Sequence, residues 1–408
     1  MEVRLLSAAV ALLLILRSPI RADDAFSLDS FQDDNVSQLE KIARGGDAKA
    51  QYRIGALYLR GKAVEQNDSQ ALNWLTKSAE QDYAPAQNLL GTMYRRGFSV
   101  SRDDAKARRW FSKAAKQGLA AAQYNLGVID AEGPHPDFSA ARRWFEKAAA
   151  QGHAESESQL GLFFLEGRGG KPDRAEAESW YAKAAEAGRA EAQRALAEML
   201  EEDGSREAAL AWFKKSASLG HVPAQARLAE IYEEGLGTPK NAAEAWNWWR
   251  QAAEGGDPRA QYRAGQAYQS GLFDVAKNPA QAMVWYGRAA SHDEARSAYA
   301  LWLMYRNGEA ATRDPGAAQG WIEKAAAQGL PEAQNALGLM YAHGEDGVPD
   351  DPVKACAWLT LAAEQGYGVD RAALDELKAR LTGKELGQLM EELRRDRTPR
   401  QAVKPATP

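Results

Sequence analysis

Two amphipathic helical patterns alternate along this chain. The first is clearest in Ala48-Lys49-Ala50-Gln51-Tyr52-Arg53-Ile54-Gly55-Ala56-Leu57-Tyr58, closed by Gly61. Offsets 0, 3, 6, 7 and 10 from Ala48 fall on one stripe of a helix, which predicts the core-facing side. Counterparts begin at Ala84, Ala120, Ala154, Ala190, Val222, Pro258, Ala295 and Pro331. The second pattern is clearest in Ala107-Arg108-Arg109-Trp110-Phe111-Ser112-Lys113-Ala114-Ala115-Lys116-Gln117-Gly118. Its alanine, tryptophan and Ala-Ala pair lie three and four residues apart, predicting a second helix. Glycines such as Gly61, Gly97, Gly118 and Gly152 follow the helices as C-terminal stops, and Asp103, Asn241, Asn278, Asp314 and Asp351 sit where helix starts are expected.

Tryptophan gives the period. Trp74, Trp110, Trp144, Trp180, Trp212, Trp246, Trp285, Trp321 and Trp358 are separated by 36, 34, 36, 32, 34, 39, 36 and 37 residues. A period in this range marks a tandem array whose units complete their cores against neighbours. The tryptophans are expected to fill the space between helices. The interval of 39 implies an enlarged loop at Leu272 to Asn278, and that of 32 a trimmed one before Trp212. Asn35 to Arg44 resembles a second helix without its tryptophan, a capping half-unit. Val369 to Leu393 predicts two closing helices, the second opened by a capping box at Thr382-Gly383-Lys384-Glu385.

The pairing of Ala-x-Ala-x-x-x-Leu-Gly-x-x-Tyr-x-x-Gly with Ala-x-x-Trp-x-x-Lys-Ala-Ala-x-x-Gly resembles the Sel1-like repeat family, α/α relatives of the tetratricopeptide repeat. Nine copies run from about Ala48 to Gly366. Ala197, Ala229 and Trp302 replace the Leu-Gly glycine in three copies, and Asp130 replaces the tyrosine of the third. The resemblance implies an all-α, right-handed α/α superhelical solenoid of about nine repeats with helical caps. It also implies an adaptor that assembles protein complexes, often in cell-envelope, secretion or signalling roles. The family's disulfide-rich, β-lactam-binding branch matches poorly, because Cys356 stands alone.

The organisation expected is a signal peptide at 1–22, a linker and capping half-repeat at 23–46, the repeat array at 47–368, capping helices at 369–395 and a disordered tail at 396–408. Met1 to Arg4, the apolar run Leu5 to Leu16 and Pro19 to Ala22 have the three parts of a secretory signal, with cleavage expected after Ala22. Twelve apolar residues are too few to span a bilayer, so no transmembrane anchor is expected. Export to a periplasm or beyond follows. Net charge −5 argues against a nucleic-acid partner.

No catalytic, cofactor or metal constellation is expected. His135, His153, His221, His292 and His343 lie in different repeats without metal-ligand spacing. Gly167-Arg168-Gly169-Gly170-Lys171 lacks the P-loop spacing and a preceding strand. With no enzyme site, function moves to the surface. Offsets 1, 4, 5, 8 and 12 of the first helix face away from the predicted stripe, and in related solenoids that side lines the concave groove. Offset 4 reads Tyr52, Asn88, Tyr124, Ser158, Arg194, Ala226, Tyr262, Tyr299 and Asn335. Its tyrosines and polar side chains suit recognition of peptide, so Tyr52, Asn88, Tyr124, Arg194, Tyr262, Tyr299 and Asn335 are the candidate partner-binding residues. A protein or peptide partner is expected. Stacking of the tyrosines on a cell-wall polysaccharide, peptidoglycan or exopolysaccharide, is the alternative.

Overall fold

The structure is a computed structural model and describes residues 36–397, apart from 62, 310–313 and 346, and without the side chains of 395–397. The expected signal peptide, most of the linker and the end of the tail lie outside the described residues. Every regular element among those described is helical. A short helix α1 (Val36–Arg44) precedes nine helix pairs. The pairs are α2 (Ala48–Arg60) with α3 (Asp68–Glu80), α4 (Ala84–Arg96) with α5 (Asp104–Lys116), and α6 (Ala120–Glu132) with α7 (Phe138–Ala149). Next come α8 (Ala154–Glu166) with α9 (Arg174–Glu186), α10 (Ala190–Glu202) with α11 (Arg206–Ser218), and α12 (Val222–Glu234) with α13 (Ala242–Glu254). The last are α14 (Pro258–Ser270) with α15 (Pro279–Ser291), α16 (Ala295–Asn307) with α17 (Pro315–Ala327), and α18 (Pro331–His343) with α19 (Pro352–Glu364). Two closing helices follow, α20 (Arg371–Ala379) and α21 (Gly383–Arg397). The chain forms two compact units, Met1–Met199 and Leu200–Pro408. Within each, a first helix packs on its own second helix, and that second helix on the next first helix.

Local chemistry sets the boundaries. Asp103, Asn241, Asn278, Asp314 and Asp351 each accept a hydrogen bond from a backbone N–H of the first turn. Gly61 and Gly97 take the left-handed conformation at the helix end, whereas Gly133 is extended and leads into a shorter loop. At Thr382 the capping box forms: its N–H and hydroxyl donate to Glu385 Oε2 at 2.8 and 2.7 Å.

Burial shifts the predicted core in three places. In the first helices the buried offsets are 2, 3, 6, 7 and 9, as Ala122, Gln123, Leu126, Gly127 and Ile129 of α6 illustrate; the expected offset 10 is buried in Asp130, Phe164, Tyr232 and Tyr341 and half-buried in the other copies, and offset 0 is only half-buried. In the second helices the deepest residue is the one after the tryptophan: Leu75, Phe111, Phe145, Phe213 and Ile322 have 0–1% exposure. Trp110, Trp144, Trp180 and Trp212 remain half-buried. The chain of the preceding first helix explains the difference. A Cβ on Gly91 would stand 2.6 Å from the Phe111 ring, and one on Gly127 would stand 2.6 Å from Phe145. The glycine lets the two helices close on that ring. The tryptophan beside it instead lies along the surface beneath a lysine one turn on. Lys113, Lys147, Lys183 and Lys215 place their ammonium groups 4.7, 4.4, 3.9 and 3.7 Å from the rings of Trp110, Trp144, Trp180 and Trp212.

The third shift concerns register. In α13 the deep residue is Trp249, 2% exposed, so Trp248 and not Trp246 is the equivalent of Trp110. The flanking intervals are then 36 and 37 residues. The loop from Gly271 to Asn278 is longer than the one from Gly235 to Asn241 by a single residue. Trp246 belongs to a local aromatic cluster, 5.5 Å from Tyr268 and 6.4 Å from Phe273. The substituted copies adapt: Trp302 is 3% exposed above the smaller Ile322, and Asp130 pairs with Arg108 at 2.6 Å.

Offset 3 carries a buried glutamine that staples three helices. Gln51, Gln87 and Gln123 donate through Nε2 to the carbonyls of Ala43, Ala79 and Ala115, eight residues back on the preceding second helix or α1. Their Oε1 atoms accept from Gln81, Gln117 and Gln151 at the end of their own second helices, at 2.7–2.9 Å. Gln193 reaches Ala185 in the same unit, and Gln225, Gln261 and Gln334 reach Ala217, Ala253 and Ala326 in the other. Where a partner is absent, the atom is left over. His292 follows α15 in place of a glutamine, and Gln261 Oε1 is buried without a hydrogen bond. Ala298 replaces the glutamine in α16, and Gln328 Nε2, which would donate to it, donates instead to Asp293 Oδ1 at 3.0 Å.

Candidate functional site

Within each unit a first helix is clasped on two sides, by its own second helix and by the preceding one. That leaves one narrow face to solvent. At about 100° per residue, offsets 1, 5, 8 and 12 cluster within about 60° of one another, whereas offset 4 stands about 60° from the core glycine at offset 7. Offset 4 therefore turns toward its own second helix. The candidate residues there are flank residues and not the centre of an open face.

Their surroundings bear this out position by position. Tyr52 is 5% exposed, its ring 5.5 Å from that of Tyr83, and burial pushes its hydroxyl pKa up to about 12. Asn88 is buried and accepts from Asn125 Nδ2 at 2.9 Å. Tyr124 is half-buried between the rings of Phe145 and His153, 5.7 and 5.2 Å away. Arg194 is half-buried and paired with Glu198 one turn on. Tyr262 lies 5.8 Å from Tyr286, and its hydroxyl accepts from Gln266 Nε2 at 2.9 Å. Tyr299 packs 5.0 Å from Trp302, and Asn335 is half-buried. These residues stand one per repeat, four in the first unit and three in the second. Each of the four tyrosine rings has another ring 5.0–5.8 Å from it, and Tyr124, Tyr262 and Tyr299 stay half-buried.

The open face differs between the two units. In the first, Leu89, Val128 and Leu162 on this face are half-buried, and Leu165, on the flank beside offset 4, is exposed. Arg60 and Arg96 lie toward one end and Glu132 and Glu166 toward the other, reading along offset 12. Arg95 reaches across to Glu132 at 2.5 Å. Burial still raises the Glu132 pKa, the arginine opposing it. In the second unit the face carries ion pairs over α10, α12 and α14, and it turns apolar in α16 and α18, where Leu303 is half-buried and Leu339 exposed. Arg227 bonds Glu201 at 2.6 Å and Glu230 at 2.8 Å, and Glu230 in turn pairs with Arg259. Glu233 pairs with Arg263 and accepts from Trp249 Nε1 at 2.9 Å. The sequence signal for these pairs is arginine at offset 5 facing glutamate at offset 11 of the preceding copy, visible only once the repeats are aligned.

Among the described residues no three of His, Cys, Asp and Glu are placed to hold a metal ion. His153 and His221 cap helix starts through Nδ1. Cys356 is fully buried, and desolvation raises its thiol pKa, which keeps it in the unreactive form. No described helix is long and apolar enough to cross a membrane.

Paired helices stacked on a small-residue core, with variable outward faces, define a repeat array of the α/α class. The Sel1 repeat family matches nine segments: 48–83, 84–119, 120–153, 154–188, 190–221, 222–257, 258–294, 293–330 and 331–367. The chain belongs to the Sel1 repeat family. A protective antigen of uropathogenic Escherichia coli with an SLR fold is 27% identical, with a TM-score of 0.59, covering 92% of this chain and 99% of that one. A Sel1 repeat protein from Oxalobacter formigenes is 30% identical, with a TM-score of 0.51, covering 59% of this chain and 96% of that one. A putative sel1-like repeat-containing protein of Acanthamoeba polyphaga mimivirus is 45% identical over 40 residues, 10% of this chain and 7% of the viral protein. Sel1 repeat proteins generally mediate protein–protein interaction and are generally non-enzymatic scaffolds.

Proposed function

We propose that this protein is an exported, non-enzymatic adaptor that holds a protein or peptide partner against the open faces of its first helices, in cell-envelope assembly or signalling. One observation carries the reading. Variation between copies concentrates at offsets 1, 5, 8 and 12, while the buried alanine, glutamine, leucine and glycine recur. A scaffold that spends its repeated residues on stacking leaves the varied ones for recognition. The apolar stretch of Val128, Leu162 and Leu165 in the first unit suits apolar side chains of a partner, and the arginines and glutamates beyond it suit a polar rim.

The test is capture of partners from envelope extracts by wild type and by Leu162→Glu with Leu165→Glu. These side chains lie outside the glycine-packed core, so the variant is expected to keep its helical circular dichroism and lose capture. Undiminished capture by a folded variant refutes the face assignment. Export rests on the amino-terminal pattern. Its support from relatives is the protective-antigen description of the E. coli protein, a property suited to a location outside the cytoplasm. Intact-mass measurement of the protein from its native host is expected to give a chain beginning at Asp23; a chain retaining residues 1–22 refutes processing.

A further inference from the structure

The glutamine staples have one exception with a chemistry of its own. In the fourth repeat the stapling position on α8 is Glu157, 8% exposed. Eight residues upstream is Ala149, the last residue of α7 and the equivalent of Ala43, Ala79 and Ala115. A glutamine here would give a hydrogen to that carbonyl. A carboxylate has none to give, and two oxygens of like partial charge would face each other. The Glu157 carboxyl accordingly makes no hydrogen bond among the described residues. Its second partner is also missing: Ala187 stands where Gln81, Gln117 and Gln151 stand in the first three repeats. A protonated carboxyl, by contrast, has nearly the shape of a carboxamide and carries one hydrogen.

We propose that Glu157 is a proton-operated staple. Protonated, it donates to the Ala149 carbonyl and ties α8 to α7 as glutamine does in the neighbouring repeats. Ionised, it leaves that junction open. The charged groups around it divide as follows. Glu155 on the same helix disfavours the ionised form, and Lys183 on α9 favours it. Glu155 is itself held by Arg189, at 2.7 Å, with His153 at 3.6 Å. Lys147 of α7 is placed over the Trp144 ring at 4.4 Å. Desolvation outweighs Lys183, so the carboxyl titrates above its ordinary value of 4.5.

The sign follows from linkage. A carboxyl whose pKa is raised by folding contributes stability that is complete below its unfolded value and is lost as pH rises through the folded value. Acid therefore tightens this junction, while it loosens carboxylates that are paired when folded. The α7–α8 junction thus differs from its neighbours in firmness, and by an amount that acidity sets.

The thermal midpoint of Glu157→Gln is to be compared with wild type at about pH 7.5 and about pH 4. The variant is expected to melt about 2–4 °C higher near neutrality, with the gap narrowed by more than half in acid. Gln123→Glu, which installs the same carboxyl one repeat earlier, is expected to melt lower than wild type near neutrality and to recover in acid. A gap of equal size at both pH values, or none near neutrality, overturns the proposal. A carbon-13 titration of the wild-type Glu157 carboxyl needs no variant to fold. A midpoint above 4.5 supports the staple, and one at or below 4.5 overturns it.

Discussion

Phe145 and Trp144 are neighbours with different work to do. Phe145 is 1% exposed, packed on Gly127 and edge-on to Phe163 at 5.2 Å; Trp144 lies half in solvent beneath Lys147. Phe145→Ala is expected to cost about 3–5 kcal/mol. Trp144→Ala should cost less than half of that, because part of its ring is never removed from water. Equilibrium urea unfolding of the two variants checks the order; equal losses would contradict the burial argument. The tryptophans were the legible part of the sequence because they recur. The deeper residue hid behind its variety: Leu75, Phe111, Tyr181, Trp249 and Ile322 share a position and no chemistry beyond bulk. Trp246, Trp248 and Trp249 obscured the register for a related reason, since three tryptophans within four residues offer three alignments and only burial selects among them. The same limit applied to the candidate ligand face. Offset 4 looked outward from a stripe drawn on one side of the helix, and only packing on two sides turns Tyr52 and Asn88 inward.

At the scale of the element, helix boundaries were the most legible feature. Asp, Asn and Pro at the starts and glycine at the ends act through local geometry, which needs no neighbour. The glutamine staples were not legible, because a buried polar residue on a predicted core stripe says nothing of its partner until the next helix is in place. Their strength is testable at Gln87, which is fully buried and bonds both Ala79 and Gln117. Gln87→Ala removes hydrogen bonds to the Ala79 carbonyl, the Asp82 carboxylate and the Gln117 amide and is expected to cost about 1–3 kcal/mol. The amides at the end of α3 and the start of α4 should exchange hydrogen faster in the same variant. Unchanged exchange there would mean that the staple adds nothing to the junction. The ion pairs of the second unit's face are weaker supports. Arg263 and Glu233 retain 22% and 28% side-chain exposure, so Arg263→Gln should cost about 1 kcal/mol or less. That loss should shrink further with added salt, as paired melts at low and high ionic strength would report.

At the scale of the molecule, stability in such an array is a sum of units and their junctions. Excision of residues 84–119, one whole repeat by the family match, leaves Gln123 to meet the carbonyl of Ala79 and Gly127 to keep its Phe145. The shortened protein is expected to fold, with helical circular dichroism per residue unchanged. Excision of 84–101, which removes a first helix and strands its partner, is expected to abolish cooperative melting. The closing helices are a separate requirement. Leu374, Leu381, Leu389 and Leu393 cover Leu361 and Cys356, so truncation after residue 370 bares an apolar end. Aggregation of the truncated chain in light scattering is the expected outcome, and a monodisperse product would show that the cap is dispensable.

The eight-residue reach of the staples has a consequence for descent. A segment copied from one alanine-rich start to the next carries its own glutamine, its own glycine and the aromatic that fills the glycine's notch, together with the backbone carbonyl that its successor will seek. Such a copy needs no adaptation to either flank. Unequal crossing-over between repeats can therefore lengthen or shorten the array in a single step without first passing through a misfolded ancestor. Lineages carrying this kind of chain are free to differ in copy number well before their individual residues diverge.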